Sequence, residues 1–459
     1  MKTVSILDFG AVENNKLQTS AIQKAIDHVF LAGGGKVIVP KGVYLTGSIR
    51  LRSNINLHLE KGAILRGSQN PEDYFSCYID DKIEPLSSSE ITDAPYVHLA
   101  SIHGETAYDK NDLRYRFRRI AGSRWNNALI RAINAQNVSI TGEDGSFIDG
   151  NNCYDAIGEE DYRGPHAITF FNVKNIKLYG YSVKDSANWA HNMLFCDNIT
   201  MDNVKVYAGH DGFDSFAGNN ITIKNCEFYT GDDCIAGFGN VNVLITDCKM
   251  NSSCSAMRFG GTNVLVKNSI MYGPGEYFFR GRMSVEDKSA CKPSPKPGRN
   301  MLSAFTYYAD YSMPIDELPS NIIIKDCIFR NVDRFLHYNF SGNETWQRYR
   351  PLNDILFENI TATDVGMPIN AYGTNEEKLE LKLKNINFSI RKNAPLLEIA
   401  KVAHCKKIIF DNVKIDGFNG DCLLRTRTEC KCEFNNVKCN IEEENYVKTT
   451  DEEFNITGI

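Results

Sequence analysis

The chain has 459 residues, of which 42% are hydrophobic and 24% charged, and its formal net charge is −6. This composition is ordinary for a globular protein with an ample core, and the mild acidity disfavours nucleic acid and anionic membranes as partners. No stretch approaches the ~18 apolar residues of a membrane span, no apolar leader precedes the first strand-like segment, and no flexible linker divides the chain. We therefore expect one elongated domain that works in the cytoplasm.

The N-terminal segment predicts a helix over residues 19–32. Apolar residues recur there at helical spacing after a Thr-Ser start, and the segment ends at Gly33. These residues are Ala21, Ile22, Ala25, Ile26 and Val29. Because a repeat structure exposes its core and unpaired edges at its ends, we expect this amphipathic helix to cover the first repeat.

A short motif, an Asn followed by alternating apolar residues, recurs along the chain. Copies begin at Asn137, Asn175, Asn198, Asn220, Asn242, Asn263 and Asn321, and later ones at Asp354, Asn385 and Lys407. Between 175 and 263 the successive spacings are 23, 22, 22 and 21 residues. One short strand per copy at this period, without the Leu-x-x-Leu-x-Leu pattern of leucine-rich repeats, predicts an all-β fold, a right-handed parallel β-helix. We expect the Asn side chains to bond to their equivalents in a ladder.

Two long segments and the C-terminus break the repeat. Residues 75–125 and 272–320 are predicted loop insertions, either solvated excursions or walls that narrow a groove into a pocket. Residues 440–459 are acidic and weakly patterned, and we interpret them as a tail or end cover.

The fourteen cysteines show no paired CxxC spacing. Cys226, Cys248 and Cys327 each follow a strand-like run, which indicates buried free thiols at equivalent turns of the repeat. We predict no metal and no cofactor, and the free thiols fit a reducing compartment.

Acidic residues are concentrated between Gly209 and Gly239. Asp211 and Asp232 are 21 residues apart (232 − 211), about one repeat, so the two clusters should become neighbours in space. An inverting glycosidase needs an acid and a base about 6.5–9.5 Å apart on either side of the bond. Repulsion between adjacent carboxylates, such as those of Asp232 and Asp233, also raises the pKa of at least one of the two groups. Asp214 is expected instead to accept bonds from turn amides.

Several motifs resemble glycoside hydrolase family 28, the polygalacturonase family of parallel β-helices. They include Asp8-Phe-Gly-Ala, the block from Gly33 to Tyr44, the segment from Ile140 to Gly150, and Arg163-Gly-Pro-His. The family's Asn-Thr-Asp-Gly and Gly-Asp-Asp motifs are represented by residues 209–212 and 231–233. The resemblance covers roughly residues 5 to 440.

The resemblance implies that Asp232 is the general acid and that Asp211 and Asp233 position and deprotonate the attacking water. Cys254 occupies the family's histidine position, and Arg258 replaces a small polar residue. His210 stands at the threonine of the first motif, while Arg280 and Arg282 correspond to the cations that grip a uronate carboxylate. We expect these five, His210, Cys254, Arg258, Arg280 and Arg282, to bind substrate, with an ion pair to Asp247 or another acid as the alternative for Arg258.

The resemblance thus implies an inverting glycoside hydrolase, exo-acting on an oligosaccharide, for which a uronic acid-containing fragment derived from pectin is a candidate. Two alternatives remain open. One is a polysaccharide lyase or epimerase on the same fold, which would use Arg or Lys beside neutralised carboxylates, often with calcium. The other is a non-catalytic carbohydrate-binding solenoid.

Overall fold

The computed structural model describes residues 2–76, 124–155, 162–309, 315, 317–339, 347, 350–373, 379–428 and 430–450. Apart from its ends, the insertion predicted for 75–125 lies outside these residues. So do parts of the 272–320 insertion and of the 440–459 tail.

The described chain winds into coils, and each complete coil contributes a segment to each of three parallel sheets. The strands in chain order are β1 (Lys2–Ser5), β2 (Gly35–Val39), β3 (Gly42–Thr46), β4 (Ile49–Arg50), β5 (Ile55–Leu59), β6 (Ala63–Gly67), β7 (Ala128–Ile133), β8 (Gln136–Gly142), β9 (Phe147–Asp149), β10 (His166–Phe171), β11 (Lys174–Tyr179), β12 (Ser182–Lys184), β13 (His191–Leu194), β14 (Asp197–Asp202), β15 (Lys205–Ala208), β16 (Phe213–Phe216) and β17 (Asn219–Lys224). They continue as β18 (Glu227–Thr230), β19 (Ile235–Thr246), β20 (Lys249–Ser252), β21 (Ser255–Lys267), β22 (Ile270–Tyr272), β23 (Met301–Tyr307), β24 (Ser320–Lys325), β25 (Ile328–Arg330), β26 (Val332–Asn339), β27 (Asp354–Val365), β28 (Met367–Tyr372), β29 (Glu380–Ile390), β30 (Glu398–Ala403), β31 (Lys407–Asp416), β32 (Cys422–Thr426), β33 (Lys431–Lys438) and β34 (Val447–Thr449).

The pairings define the three sheets. Sheet 1 contains β4, β7, β10, β13, β16, the first part of β19 and of β21, β23, β26, β28, β30, β32 and β34. Sheet 2 includes β8, β11, β14, β17 and β24, and sheet 3 includes β9, β12, β15, β18, β20, β22 and β25. Longer strands such as β27 and β29 bend from sheet 2 into sheet 3. This is the predicted right-handed parallel β-helix.

Helix α1 (Thr19–Leu31) covers the first coil, as predicted. It buries Ile22, Ala25, Ile26 and Val29 completely and packs on β1, β2 and β4. A second helix, α2 (Val285–Ser289), lies within the 272–320 insertion. In the part of the chain described, neither helix is long and apolar enough to cross a membrane.

The predicted asparagine ladder is present at the turn that enters sheet 2. Asn175, Asn198 and Asn220 all adopt left-handed backbone angles, with φ of 58°, 56° and 58°. The amide of Asn198 donates to Asn175 over 3.0 Å, and that of Asn220 donates to Asn198 over 3.1 Å. Asn tolerates this conformation better than most residues do, so one residue type serves both the turn and the ladder.

The copy assigned to Asn385 was misplaced by the sequence prediction. Register pairs Asp354 with Glu380, and Glu380 with Lys407, so the equivalent of Asp354 in that coil is Glu380. Asn385 lies at the next turn, between sheets 2 and 3, where its amide donates to Asn359 over 2.9 Å. Both turns require a left-handed residue that Asn favours, so the motif does not distinguish them.

The described cysteines are all free, and Cys226, Cys248 and Cys327 are buried. Register places Cys226 next to Cys248 on adjacent coils, and the Cys248 amide donates to the hydroxyl of Ser269 on the following coil. Cys327 continues the same stack beside Ser269. The prediction of buried thiols at equivalent turns is confirmed.

A row of side chains crosses the outer face of sheet 1, one from each coil. Its central members are Asn192, Asp214, Ala236, Arg258 and Thr306, which are directly paired from strand to strand. The row continues through His337, Asn370 and Lys401 to Arg425. We call this set the polar row. The register of the polar row determines which side chains of different coils are neighbours.

Candidate active site

Three successive turns from sheet 3 into sheet 1 bring the predicted acidic residues together. Backbone hydrogen bonds connect the turns: the Gly212 amide donates to the Asp233 carbonyl over 2.9 Å, and the Cys234 amide donates to the Ser255 carbonyl over 3.0 Å. Equivalent positions on stacked coils are about 4.8 Å apart. Asp211, Asp233 and Cys254 therefore occupy neighbouring turns.

Close packing of these turns depends on a glycine. A Cβ atom at Gly231 would lie 2.4 Å from the Gly209 carbonyl oxygen and 2.4 Å from that of Phe278. Any other residue at this position would push the Asp232–Asp233 turn away from the Asp211 turn, because backbone atoms on both sides leave no room for a side chain.

Arg258 forms an ion pair with Asp233. Its Nε lies 2.6 Å from Asp233 Oδ2, while Asp233 Oδ1 accepts the Ser255 amide over 3.2 Å. A guanidinium NH2 of Arg258 is 3.9 Å from Asp211 Oδ2, and its Cζ lies 5.0 Å from the ring centroid of Tyr308. Burial raises the pKa of Asp233 to about 6, and Arg258 acts in the opposite direction. The alternative of an ion pair with Asp247 or another acid is thus met by Asp233 and Asp211.

Asp211 and Asp214 form a buried carboxyl pair. Both side chains are inaccessible to solvent, and each group is within hydrogen-bonding reach of the other. None of their four oxygens accepts a hydrogen bond from an N–H or O–H group of the described residues. Burial raises the pKa of each well above its usual range, so the pair holds a proton more readily than exposed aspartates do. The expectation that Asp214 binds turn amides was wrong.

Asp232 is the more accessible acid of the group. Its backbone carbonyl accepts hydrogen bonds from Thr230 Oγ1, over 2.7 Å, and from the Ser252 hydroxyl. One carboxylate oxygen of Asp232, one of Asp233 and the Cys254 Sγ lie within 4.8 Å of one another. At these atoms Asp232 and Asp233 are closer than the about 6.5–9.5 Å expected between the acid and the base of an inverting glycosidase. These groups are of types that bind cations, but Arg258 already contacts Asp233, so the cluster carries its own counter-charge.

His210 lies behind the Asp211 turn. It is fully buried, stacked on Tyr154 with the ring centroids 6.0 Å apart, and its Nδ1 is 3.2 Å from a guanidinium nitrogen of Arg163. Burial, followed by the charge of Arg163, lowers the pKa of His210 well below its usual range. The imidazole is therefore neutral, with Nδ1 accepting from Arg163.

Arg280 also packs behind this turn. Its guanidinium donates to the Ser186 carbonyl over 2.9 Å and to Asn152 Oδ1, and its backbone amide donates to the Gly209 carbonyl. The side chain is 1% exposed. In this arrangement Arg280 supports the turn from behind, whereas the predicted role was direct contact with substrate.

Arg282 and Arg299 supply positive charge on the Asp232 side. Arg282 is exposed, and Arg299 anchors to Ser253 through an Nε bond of 3.0 Å to the carbonyl oxygen. Burial lowers the pKa of Arg299, and the charge of Arg282 acts in the same direction, while Cys254, Asp333 and Asp232 act in the opposite one. Arg299 was missed because it lies in an insertion, where the repeat period gives no register.

His191 was also missed by sequence reasoning. Its Nδ1 lies 2.9 Å from the carbonyl oxygen of Gly212, and the Tyr181 hydroxyl lies 3.0 Å from its Nε2. Burial lowers the pKa of His191 to about 4. The signal that could have found it is spacing: His191 precedes Gly212 by 21 residues (212 − 191), one coil.

The polar row is covered on both sides of Arg258. Towards the N-terminus, Asn192 is buried beneath Asn126, to which it donates over 2.9 Å. Towards the C-terminus, Thr306 and His337 are 4% and 2% exposed. The Arg258 side chain between them is 27% exposed. The accessible part of the row is thus short.

Aromatic residues build the walls beside this opening. Trp125 and Trp189 meet edge to face with ring centroids 5.6 Å apart, next to Asn126 and Asn192. Tyr308 packs on Phe216 and Phe238, and Phe216 in turn stacks on Trp189, so these aromatic residues form one continuous cluster. This cluster lies beside the exposed part of the Arg258 side chain, whose Cζ is 5.0 Å from the Tyr308 ring centroid.

Comparison with known proteins agrees with this arrangement. The family description "Glycosyl hydrolases family 28" matches residues 101–256, which include the Asp211 and Asp232–Asp233 motifs. The match is thus to the part of this chain that contains the acidic residues of its candidate site. Within this chain, 78 residues are 44% identical to an exo-poly-alpha-D-galacturonosidase of Dickeya chrysanthemi, covering 17% of this chain and 13% of that protein.

A probable polygalacturonase of Vitis vinifera is 26% identical over 214 residues, covering 45% of this chain and 37% of the relative. The matches thus span less than half of either curated relative. Among solved structures, an exopolygalacturonase of Thermotoga maritima aligns with a TM-score of 0.63 and 18% identity over 91% of this chain and 92% of its own. A family 28 exopolygalacturonase of Yersinia enterocolitica aligns with a TM-score of 0.60 and 18% identity over 97% and 79%. These structural likenesses show the fold.

Proposed function

We propose that this protein is an inverting, exo-acting glycoside hydrolase of family 28 that cleaves an oligosaccharide derived from pectin. The observation that carries the proposal is the meeting of Asp232 with Asp233 and Asp211 on adjacent turns, one accessible acid beside two buried ones. Asp232 would protonate the glycosidic oxygen as the bond to the anomeric carbon breaks. A water molecule would attack that carbon from the opposite face and lose its proton to a carboxylate.

Exo action is supported by the short accessible part of the polar row. An enzyme that cleaves within a polymer needs an open groove to either side of its catalytic residues. Here the row is covered by Asn126 on one side, and its members Thr306 and His337 are buried on the other. A chain end fits such an opening, whereas a continuous polymer does not.

Arg282 and Arg299 support an acidic sugar as substrate. Both lie on the Asp232 side, and arginine can bind a carboxylate with two parallel hydrogen bonds. The sequence prediction gave this role to Arg280 and Arg282. We propose that the pair is Arg282 and Arg299, because Arg280 is enclosed by Ser186 and Asn152.

Asp232→Asn tests the proposal on galacturonate oligomers of two to six units. We expect kcat to fall by about 10²–10⁴-fold because the acid is lost, while oligomer binding measured by calorimetry persists. Asp247→Asn is the matched control, since Asp247 is an exposed acid at a turn between sheets 2 and 3.

Proton NMR of the fresh product distinguishes the alternatives. An inverted anomer released one unit at a time supports the proposal. An unsaturated product that absorbs in the ultraviolet, formed in a calcium-dependent reaction, would indicate a lyase. Binding without turnover by the wild type across neutral and acidic oligosaccharides would indicate a non-catalytic solenoid.

A further inference from the structure

We propose that Arg258 is a positioning residue that holds Asp233 as the ionised, water-activating base, while Asp211 keeps a proton that it shares with Asp214. The inference rests on the proposed hydrolase function. It gives different states to Asp211 and Asp233, two carboxylates that the family resemblance treats as equivalent, and it gives a task to an arginine that the family pattern lacks.

The contacts of Asp233 are those of a carboxylate. One oxygen accepts the Ser255 amide, and the other is 2.6 Å from Arg258 Nε, so both face donors. Such charge-assisted bonds favour the ionised form. Because Asp233 is only 1% exposed, bulk solvent would screen its charge poorly if the guanidinium were removed.

The contacts of Asp211 are those of a group that shares a proton. Asp211 and Asp214 are buried within hydrogen-bonding reach of each other, and none of their oxygens accepts from another described residue. Two carboxylates cannot hydrogen-bond to each other, but a carboxyl and a carboxylate can. Arg258 approaches Asp211 only to 3.9 Å, against 2.6 Å for Asp233, so its charge stabilises Asp233 more.

The other groups that face this assembly support the same division. Asp232 and Cys254 lie beside Asp233, and Tyr308 lies against the Arg258 guanidinium. Asp232 adds repulsion to both Asp211 and Asp233, so without Arg258 the cluster would hold more protons.

The proton balance of the step is complete without a further reactant. Water oxygen bonds to the anomeric carbon, the glycosidic C–O bond breaks, and Asp232 gives its proton to the departing oxygen. Asp233 accepts a proton from the attacking water. Asp232 ends ionised and Asp233 protonated, and exchange with solvent restores both, while Arg258 and the Asp211–Asp214 proton remain in place.

The test is the pH dependence of kcat/KM on trigalacturonate for the wild type, Arg258→Gln and Arg258→Lys. We expect the wild-type acid limb near pH 6. Arg258→Gln should move that limb upwards by about 1–3 pH units, the usual effect of an adjacent opposite charge. Arg258→Lys should restore most of the shift because it keeps the charge, and thermal unfolding establishes that each variant is folded.

Arg425→Gln is the matched control. Arg425 belongs to the same polar row and pairs through Nε with the buried Glu398 over 2.8 Å, five register steps from Arg258. We expect Arg425→Gln to destabilise the protein without shifting the acid limb of its pH profile. An unchanged limb in folded Arg258→Gln would overturn the proposal.

A second measurement does not depend on turnover. In protein labelled at the aspartate carboxyl carbon, the signal lost in Asp233→Asn identifies Asp233 by ¹³C NMR. We expect it to titrate near pH 6 in the wild type and higher in Arg258→Gln, with the Asp211 signal titrating above both. Titration of Asp211 below Asp233 would overturn the assignment. Absence of wild-type turnover with the expected titrations would refute the hydrolase function alone.

Discussion

His191 donates a hydrogen bond from Nδ1 to the carbonyl oxygen of Gly212, and so connects the interior of one coil to the turn that carries Asp211 on the next. The Tyr181 hydroxyl donates to Nε2, which fixes the ring as the neutral Nδ1–H tautomer. Burial lowers the pKa of His191 to about 4, against about 6.5 when unfolded. At a pH between these two values, the His191 side chain therefore binds a proton in the unfolded chain but not in the folded protein.

This predicts that stability is fully present above about pH 6.5 and falls on acidification towards pH 4. Replacement by Gln removes that contribution, which amounts to about 3 kcal/mol over the interval. We expect His191→Gln to flatten unfolding free energy against pH in this range and to lower kcat, because the Gly212 carbonyl loses its donor. His28→Gln, on α1, is the control. An unchanged slope in His191→Gln would show that the ring does not resist protonation.

Asp214→Asn should stabilise the protein at neutral pH. The folded pKa of Asp214 is raised by burial, so the folded state binds more protons than the unfolded state, and stability falls as pH rises above about 4. An amide can donate to Asp211 without this cost. We expect Asp214→Asn to be more stable than the wild type at pH 7, by an amount that shrinks towards pH 4.

Urea unfolding at several pH values measures this gain, and Asp416→Asn is its control because Asp416 is exposed beside Lys414. An Asp214→Asn protein that is less stable than the wild type at pH 7 would show that Asp211 does not share a proton with this residue.

Substitutions at Asn220 separate the two roles of the asparagine ladder. Asn220→Gly keeps the left-handed backbone and loses the bond to Asn198, which costs about 0.5–1.5 kcal/mol. Asn220→Ala should cost about 1–2 kcal/mol more, because alanine strains at φ of 58°. Urea midpoints measure both, with Thr222→Ala on the same strand as control. Equal effects of Gly and Ala would contradict a conformational role.

The fold was predictable because its determinants are local and repeated. Each Asn at the entry to sheet 2 supplies the backbone angle that its turn needs, so the period of Asn175, Asn198 and Asn220 follows the coils directly. Asn385 was misassigned for the same reason, since the turn into sheet 3 needs the same angle and uses the same residue.

The acidic residues of the site could be predicted from the sequence, whereas the side chains that contact them could not. Asp211, Asp232 and Asp233 met as expected because 21 residues make one coil. That Arg258 binds Asp233 depends on where β21 places an outward side chain, and that Asp214 faces Asp211 depends on the pleat of β16, which a local turn interpretation ignores. The sequence signal for His191 is its spacing of one coil before Gly212, which does not show that the contact is made by a ring nitrogen inside the coil.

Because each coil contributes one residue to the polar row, the length of the substrate opening can change only by whole coils. Because the strands are parallel and in register, an added repeat between β13 and β16 would move Asn192 and its Asn126 cover away from Asp214 by about 4.8 Å. The added repeat would then have to supply the donor that His191 now gives to the Gly212 carbonyl. Duplication of a single repeat in the gene would therefore lengthen the accessible part of the row in fixed increments. Under the proposed function, such a duplication would be one route from the removal of chain ends to cleavage within polymers.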